Sequence, residues 1–125
     1  RERKRHEAAD TGTRIVHTPV LEVTTGKRIR LEAKVTDPAG VDLVRFYFKS
    51  SDSKEFNFVQ GRKTKKNWYT GILPTPAVYT DSIDYLILVK NEKNKVVKSQ
   101  TYHANVVKSR RSVTYKDRIQ VYSEK

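Results

Sequence analysis

Ile29, Leu31, Ala33 and Val35 alternate without a break with Arg28, Arg30, Glu32, Lys34 and Thr36. One apolar and one charged row at a period of two is the pattern of an antiparallel strand with one buried face. It predicts a strand over Arg28–Thr36. Asp37-Pro38-Ala39-Gly40 closes it as a turn, with proline at the second position and glycine at the fourth. The alternation resumes over Val41–Lys49, where Val44, Phe46 and Phe48 share one face and Arg45, Tyr47 and Lys49 the other. Ser50–Lys54 is a polar loop, and Phe56 and Phe58 alternate in a short strand that ends near Gln60. Gly61–Asn67 reads as a glycine-led basic loop, and Trp68–Leu73 as the next strand. Pro74 and Pro76 then force an irregular crossing.

Asp81-Ser82-Ile83-Asp84-Tyr85-Leu86-Ile87-Leu88-Val89 leads into a central strand, Tyr85–Lys90, that is apolar on both faces, as befits a strand in the middle of a covered sheet. Asn91–Lys95 is a polar hairpin turn, and Val96–Val107 reads as the last long strand. Before all of these, Ile15-Val16-His17 and Val20–Val23 are short extended pieces broken by Pro19. That suits an edge, because proline cannot donate to a ladder. Thr24-Thr25-Gly26 is a turn.

The ends differ from this middle. Residues 1–13 are charged and carry no stripe, which marks a linker. Residues 108–125 form a basic extension. Val113, Tyr115, Ile119 and Val121 fit a period of two, while Tyr115, Ile119 and Tyr122 also fit a helical face. Valine, threonine and tyrosine favour short strands there, or the start of a neighbouring domain. The pattern thus predicts one all-β, two-sheet sandwich of about seven to eight strands over residues 14–107, with charged tails.

Composition adds bounds. A chain of 125 residues is one domain with one two-layer core. Charged residues make up 32% and apolar residues 36%, so the outer faces of the strands are charged. No run reaches the ~20 apolar residues that span a bilayer. The chain holds no cysteine, which excludes disulfides, thiol nucleophiles and cysteine-ligated metals. It holds no methionine either, so Arg1 is not a translated start; the chain reads as a piece of a longer protein, with any signal peptide or anchor outside it. The net charge of +12 is spread, with maxima at Arg62-Lys63-Lys65-Lys66 and Lys108-Arg110-Arg111. Spread positive charge favours solubility and weak attraction to polyanions.

Short strands with turn signals at this spacing resemble immunoglobulin-like modules, of the kind that occur as accessory domains in bacterial exported proteins. Asp81 followed by Tyr85 looks like the tyrosine corner at the start of the sixth strand, and Ile87 stands where disulfide-bearing members have cysteine. Leu31 or Ala33 would be the opposing position on the second strand, and Phe46 or Phe48 would replace the core tryptophan of the third. The chain departs from that pattern in lacking the disulfide and in placing Trp68 on a later strand. The resemblance implies a spacer, scaffold or binding module in the periplasm, envelope or extracellular space, without catalysis or cofactor. It also implies a structural role for Tyr85, whose hydroxyl would tie the corner to nearby backbone, and for Asp81 as a cap.

The candidate chemistry is sparse. His6, His17 and His103 are isolated in sequence, and neither a Gly-x-Ser-x-Gly elbow nor a His-Glu-x-x-His is present. Asp37 with Asp42, and Asp81 with Asp84, flank turns but offer too few oxygens for calcium. Lys90, Lys93, Lys95 and Lys98 read as protection of an edge against pairing. Two surfaces remain. Arg62, Lys63, Lys65 and Lys66 beside Trp68 combine cations with an aromatic plate, which suits phosphate or sulfate beside a stacked base or sugar; a solvated hairpin is the plainer reading. Arg45 and Tyr47 would lie beside Leu86 and Leu88 on the outside of the central sheet, a contact patch for a neighbouring domain or another protein unless the tail from Val113 to Val121 covers it. The expected function is a non-catalytic interaction or spacer module, with anionic-polymer binding as the alternative.

Overall fold

The computed structural model describes residues 12–108, which form ten strands and no helix. They are β1 (Arg14–Val16), β2 (Glu22–Thr24), β3 (Ile29–Thr36), β4 (Val41–Ser50), β5 (Asn57–Gln60), β6 (Arg62–Lys65), β7 (Trp68–Leu73), β8 (Ser82–Asn91), β9 (Val96–Lys98) and β10 (Tyr102–Val107). One sheet runs β1-β3-β7-β6. The other runs β2-β10-β8-β4-β5, with β9 also paired to β8. Every described ladder is antiparallel except β2 with β10.

The alternation seen in the sequence decides the layers. Ile29, Leu31, Ala33 and Val35 of β3 are buried against Val44 and Phe46 of β4 and Ile83, Tyr85, Ile87 and Val89 of β8. Between the two sheets the Phe46 ring meets glycine. A Cβ on Gly71 would lie 2.3 Å from Phe46 Cδ1, and one on Gly61 would lie 3.0 Å from Phe46 Cε1. The ring fills space that any larger residue at Gly71 would take.

The chain passes between the sheets five times, and two of these passages fall within a nearly continuous extended run. The chain leaves β1 in the four-stranded sheet and enters β2 in the six-stranded sheet across His17–Leu21, with Pro19 in the bend. The other such passage, from the six-stranded to the four-stranded sheet, is at Gly61, between β5 and β6. The first crossing is clamped from the core. The buried Tyr85 hydroxyl accepts from Val20 N–H at 2.9 Å and bonds His17 Nε2 at 2.7 Å. His17 Nδ1 lies 2.7 Å from the Glu32 carbonyl, which can only accept, so Nδ1 carries a proton. In the neutral ring Nε2 then accepts from the Tyr85 hydroxyl. Tyr102 stacks on Tyr85 with centroids 5.1 Å apart, and His17 stands edge-on to both rings.

Three expectations are corrected. The basic segment after Gly61 is not a loop: Arg62–Lys65 is strand β6, joined to β7 through a turn at Lys66-Asn67, where Asn67 has φ 64°. All four residues of β6 are exposed, so no apolar alternation betrays it; pairing with β7 alone makes it a strand. The long last strand is two. Ser99 interrupts it, its backbone N–H donating to Ile87 C=O and its hydroxyl accepting from Ile87 N–H. The hydroxyl thus stands in for a ladder carbonyl. The strands accordingly number ten, where seven to eight were expected. The Tyr85 tie also reaches farther than a local corner, to Val20, while exposed Asp81 takes part through its backbone carbonyl, which accepts from Val106 N–H. Arg1–Thr11 and the extension from Ser109 onward, including Val113 to Val121, lie outside the described residues.

Two outcomes follow from this packing. Tyr85→Phe leaves the part-buried Val20 N–H without its acceptor and removes the His17 partner, and should cost about 1–3 kcal/mol in urea denaturation. Gly71→Ala drives a methyl into the Phe46 ring and should cost about 1–3 kcal/mol, with Gly71→Ala and Phe46→Leu together costing less than their sum.

Candidate functional site

The outer faces of the two sheets hold the sequence-derived candidates, and they hold them apart. In the six-stranded sheet the β4–β8 register sets Arg45 opposite Leu88 and Tyr47 opposite Leu86. Residues directly opposite in a ladder share a face, so these four form one patch, as the alternation indicates. β5 extends it. Gln60 lies opposite Arg45 and Phe58 opposite Tyr47, and Phe58 and Phe56 are 46% and 39% exposed. Tyr47 touches both rings, with centroids 5.2 Å and 6.5 Å away. The sequence reading placed Phe56 and Phe58 on one face of a strand without showing that this face points out. Tertiary pairing decides that.

Cations lie over these aromatics. The Arg45 guanidinium sits 4.3 Å above the Phe58 ring, and Lys49 Nζ is 5.5 Å from Phe56. Arg45 Nη1 reaches the Tyr47 hydroxyl at 3.4 Å, while its buried Nε has no partner among the described residues. Lys49 is engaged differently, 3.3 Å from Asp84. Asp84 also accepts from the Ser51 hydroxyl and bonds His103 Nδ1, each at 2.9 Å. Burial raises the Asp84 pKa, but the bonds from His103, Ser51 and Lys49 outweigh it and hold the carboxyl below its ordinary value. A serine, a histidine and an aspartate therefore meet, but the serine hydroxyl is bonded to the carboxylate and not to the imidazole. Among the described residues no imidazole is bonded to that hydroxyl, as a serine–histidine pair would require.

The four-stranded sheet carries the basic-aromatic candidate. Trp68 of β7 lies between Lys34 of β3 and Lys65 of β6 in one cross-strand row. Lys65 Nζ is 5.8 Å from the indole. Arg62 faces Thr70, the next outward residue of β7, so Arg62 and Lys65 share the Trp68 face. Lys63 lies opposite Tyr69, whose side chain turns inward, and so belongs to the other side of the edge; Lys66 sits in the turn. Lys34 completes the row. Its place was recorded in the sequence only as one outward residue of an alternating strand, since the neighbour of β3 cannot be read from β3. Arg30 on this face is paired with Glu32 at 3.1 Å.

The acidic pairs serve the fold. Asp37 accepts from the Thr13 hydroxyl, from Ala39 N–H and from Asn91 Nδ2, and those bonds, with Lys93 nearby, hold its pKa below the ordinary value against the opposing effect of burial. Asp42 pairs with Lys90 at 3.3 Å. Among the described residues no three histidine, aspartate or glutamate side chains converge as a metal site, and no helix is long and apolar enough to cross a membrane.

No protein-family model matches the chain, and no curated protein matches it. Solved structures do. The fibronectin(III)-like modules of Clostridium thermocellum CbhA superpose with a TM-score of 0.52 at 18% identity, over 78% of this chain and 46% of that one. A mutant of the SrpA adhesin of Streptococcus sanguinis gives 0.52 at 12% identity, over 82% of this chain and 61% of that one. CopC of Methylosinus trichosporium OB3b gives 0.52 at 18% identity, over 77% of this chain and 94% of that one. The chain thus spans less than two thirds of the length of the first two. Likeness at these identities shows the fold, and the fold is an immunoglobulin-like β-sandwich.

Proposed function

We propose that this chain is a non-catalytic interaction or spacer module of a larger bacterial exported or envelope protein, and that it presents the outer face of its six-stranded sheet to a neighbouring domain or a second protein. The observation that carries this is the unbroken patch of Tyr47, Phe56, Phe58, Leu86 and Leu88, built across three adjacent strands. Large exposed apolar residues scattered singly need no explanation, whereas aromatics and leucines gathered on one rigid face, with an arginine among them, have the composition of a contact surface. The larger exported setting is supported by the company of the fold, which includes modules of CbhA and an adhesin.

A second reading has its own observation. The row Lys34–Trp68–Lys65 with Arg62 beside it places cations around one aromatic plate on the opposite face. That arrangement suits an anionic polymer, nucleic acid or acidic polysaccharide, held by charge and one stacked ring. The two readings separate by salt, because binding through displaced counterions falls steeply with ionic strength and an apolar contact does not.

A photo-crosslinking phenylalanine analogue at position 58, introduced into the protein in its bacterial host, should capture a partner that the same analogue at position 72 on the opposite sheet does not. Equal capture at both positions, or at neither, would sink the contact-face reading. For the second reading, amide spectra recorded with a DNA duplex and with a sulfated oligosaccharide should show shifts confined to Lys34 and Arg62–Trp68 that persist near physiological salt. Diffuse shifts that vanish with salt would reduce the charge to a solubility device.

A further inference from the structure

β5 ends the six-stranded sheet, and it is an edge with neither a charged residue nor a proline. β6 ends the other sheet with Arg62, Lys63 and Lys65. β1, β2 and β9, the remaining ends of the two sheets, are three residues each and each carries a charged residue; β1 and β2 also run into the bend at Pro19. β5 is Asn57-Phe58-Val59-Gln60, with neither charge nor proline. Exposed edges are normally blunted by lysine, proline or brevity, because their free backbone groups are a template for another strand.

The free groups can be assigned. Gly61 N–H donates to Val44 C=O, so the β4-facing residues of β5 are those two and four positions earlier, Val59 and Asn57. Phe58 and Gln60 therefore turn their N–H and C=O groups out of the sheet, and no loop or side chain among the described residues bonds to them. Beside this edge stands Arg45. Its ladder partner is Gln60, yet its guanidinium leans along β5 to lie over Phe58. It meets no carboxylate among the described residues, and its Nε is buried and unpartnered.

We propose that β5 accepts an added strand from an acidic partner: an extended segment that pairs with the outward backbone groups of Phe58 and Gln60 and sets a carboxylate against Arg45. This rests on the six-stranded face being the contact surface and gives that contact its mode. Main-chain bonds supply affinity in such strand addition, and alternate side chains supply selectivity. A strand added at the ladder spacing of about 4.8 Å continues the outer face, so every second side chain lies beside Phe56, Phe58 or Gln60. A carboxylate next to Phe58 would give the guanidinium the planar partner it lacks. The chain's charge of +12 draws an acidic segment in and opposes a second copy, which would bring Arg45 toward Arg45.

The test adds to the labelled chain a short peptide alternating valine and glutamate, with a valine–lysine peptide as control. The glutamate peptide at about 1 mM should slow amide exchange at Phe58 and Gln60 by roughly tenfold or more, and the lysine peptide should not. Arg45→Gln should weaken binding about fivefold or more, as loss of a charge-assisted pair does. Gln60→Pro removes an outward N–H and leaves the β4 ladder intact, and should abolish pairing; the exchange measurement on the unaltered chain stands by itself should that variant not fold. No protection with the glutamate peptide, or equal protection with both peptides, overturns the proposal. So does a dimer of the chain alone that Gln60→Pro dissolves, which would assign the edge to a second copy. Crosslinks from position 58 that survive Gln60→Pro would remove strand addition while leaving the contact face standing.

Discussion

A chain that leaves one sheet for the other strands its backbone between two ladders, and the structure depends on how that gap is closed. At the crossing from β1 to β2 it is closed by a relay of hydrogen bonds. Val20 N–H donates to the Tyr85 hydroxyl, which donates to His17 Nε2, while His17 Nδ1–H donates to Glu32 C=O. The relay touches β8 in one sheet and β3 in the other, so it pins the crossing to both. The bonds to the Tyr85 hydroxyl are part-buried, where a polar group left unpaired costs about 1–3 kcal/mol. Burial raises the Tyr85 pKa, against the opposing pull of the Val20 N–H, and Tyr102 adds to the rise. The phenol is therefore kept neutral, the form that both donates and accepts. Phe46 does the complementary apolar work, filling the space that Gly71 and Gly61 leave open.

Much of this fold was written in alternation. β3, β4 and β7 could be bounded from the sequence to within a residue at each end, because each has one apolar row that must face the core. The Arg45–Tyr47–Leu86–Leu88 patch was legible for the same reason: two alternating strands placed side by side fix their outward rows at once. What escaped were features set by a neighbour and not by the segment itself. β6 has no apolar row, so its pairing is invisible in sequence. The break at Ser99 depends on Ile87 across the ladder. Asp81 and Tyr85 are close in sequence and suggest a local tie, whereas the tie runs to Val20, sixty-five residues away. The outward direction of Phe56 and Phe58 follows only once β5 is known to lie on β4.

The two outer faces divide the surface chemistry of the sandwich. The four-stranded sheet shows cations around one indole, with Glu32 already bound to Arg30. The six-stranded sheet shows aromatics and leucines, and two of its cations, Lys49 and Lys90, are held by Asp84 and Asp42. Pairing them in place lowers the repulsion that a cationic group would meet there. Arg45 and the exposed Lys98, which lies opposite Leu88, meet no carboxylate among the described residues, and the Arg45 guanidinium lies over a ring. A rigid face whose arginine meets no carboxylate selects partners by where they place a negative charge.

An unguarded edge is dangerous to a protein only if copies of it meet. β5 offers two outward-facing residues, a short template, and it lies beside cations on a chain carrying +12. At physiological ionic strength charges are screened over about 8 Å, so long-range repulsion between copies is weak but repulsion at contact persists. Edge-to-edge pairing of two β5 strands would require that contact, with Arg45 approaching its own copy. The same field favours a strand of opposite sign. Charge here replaces the lysine or proline that guards other edges: it leaves the backbone groups of Phe58 and Gln60 open while restricting which chain can use them.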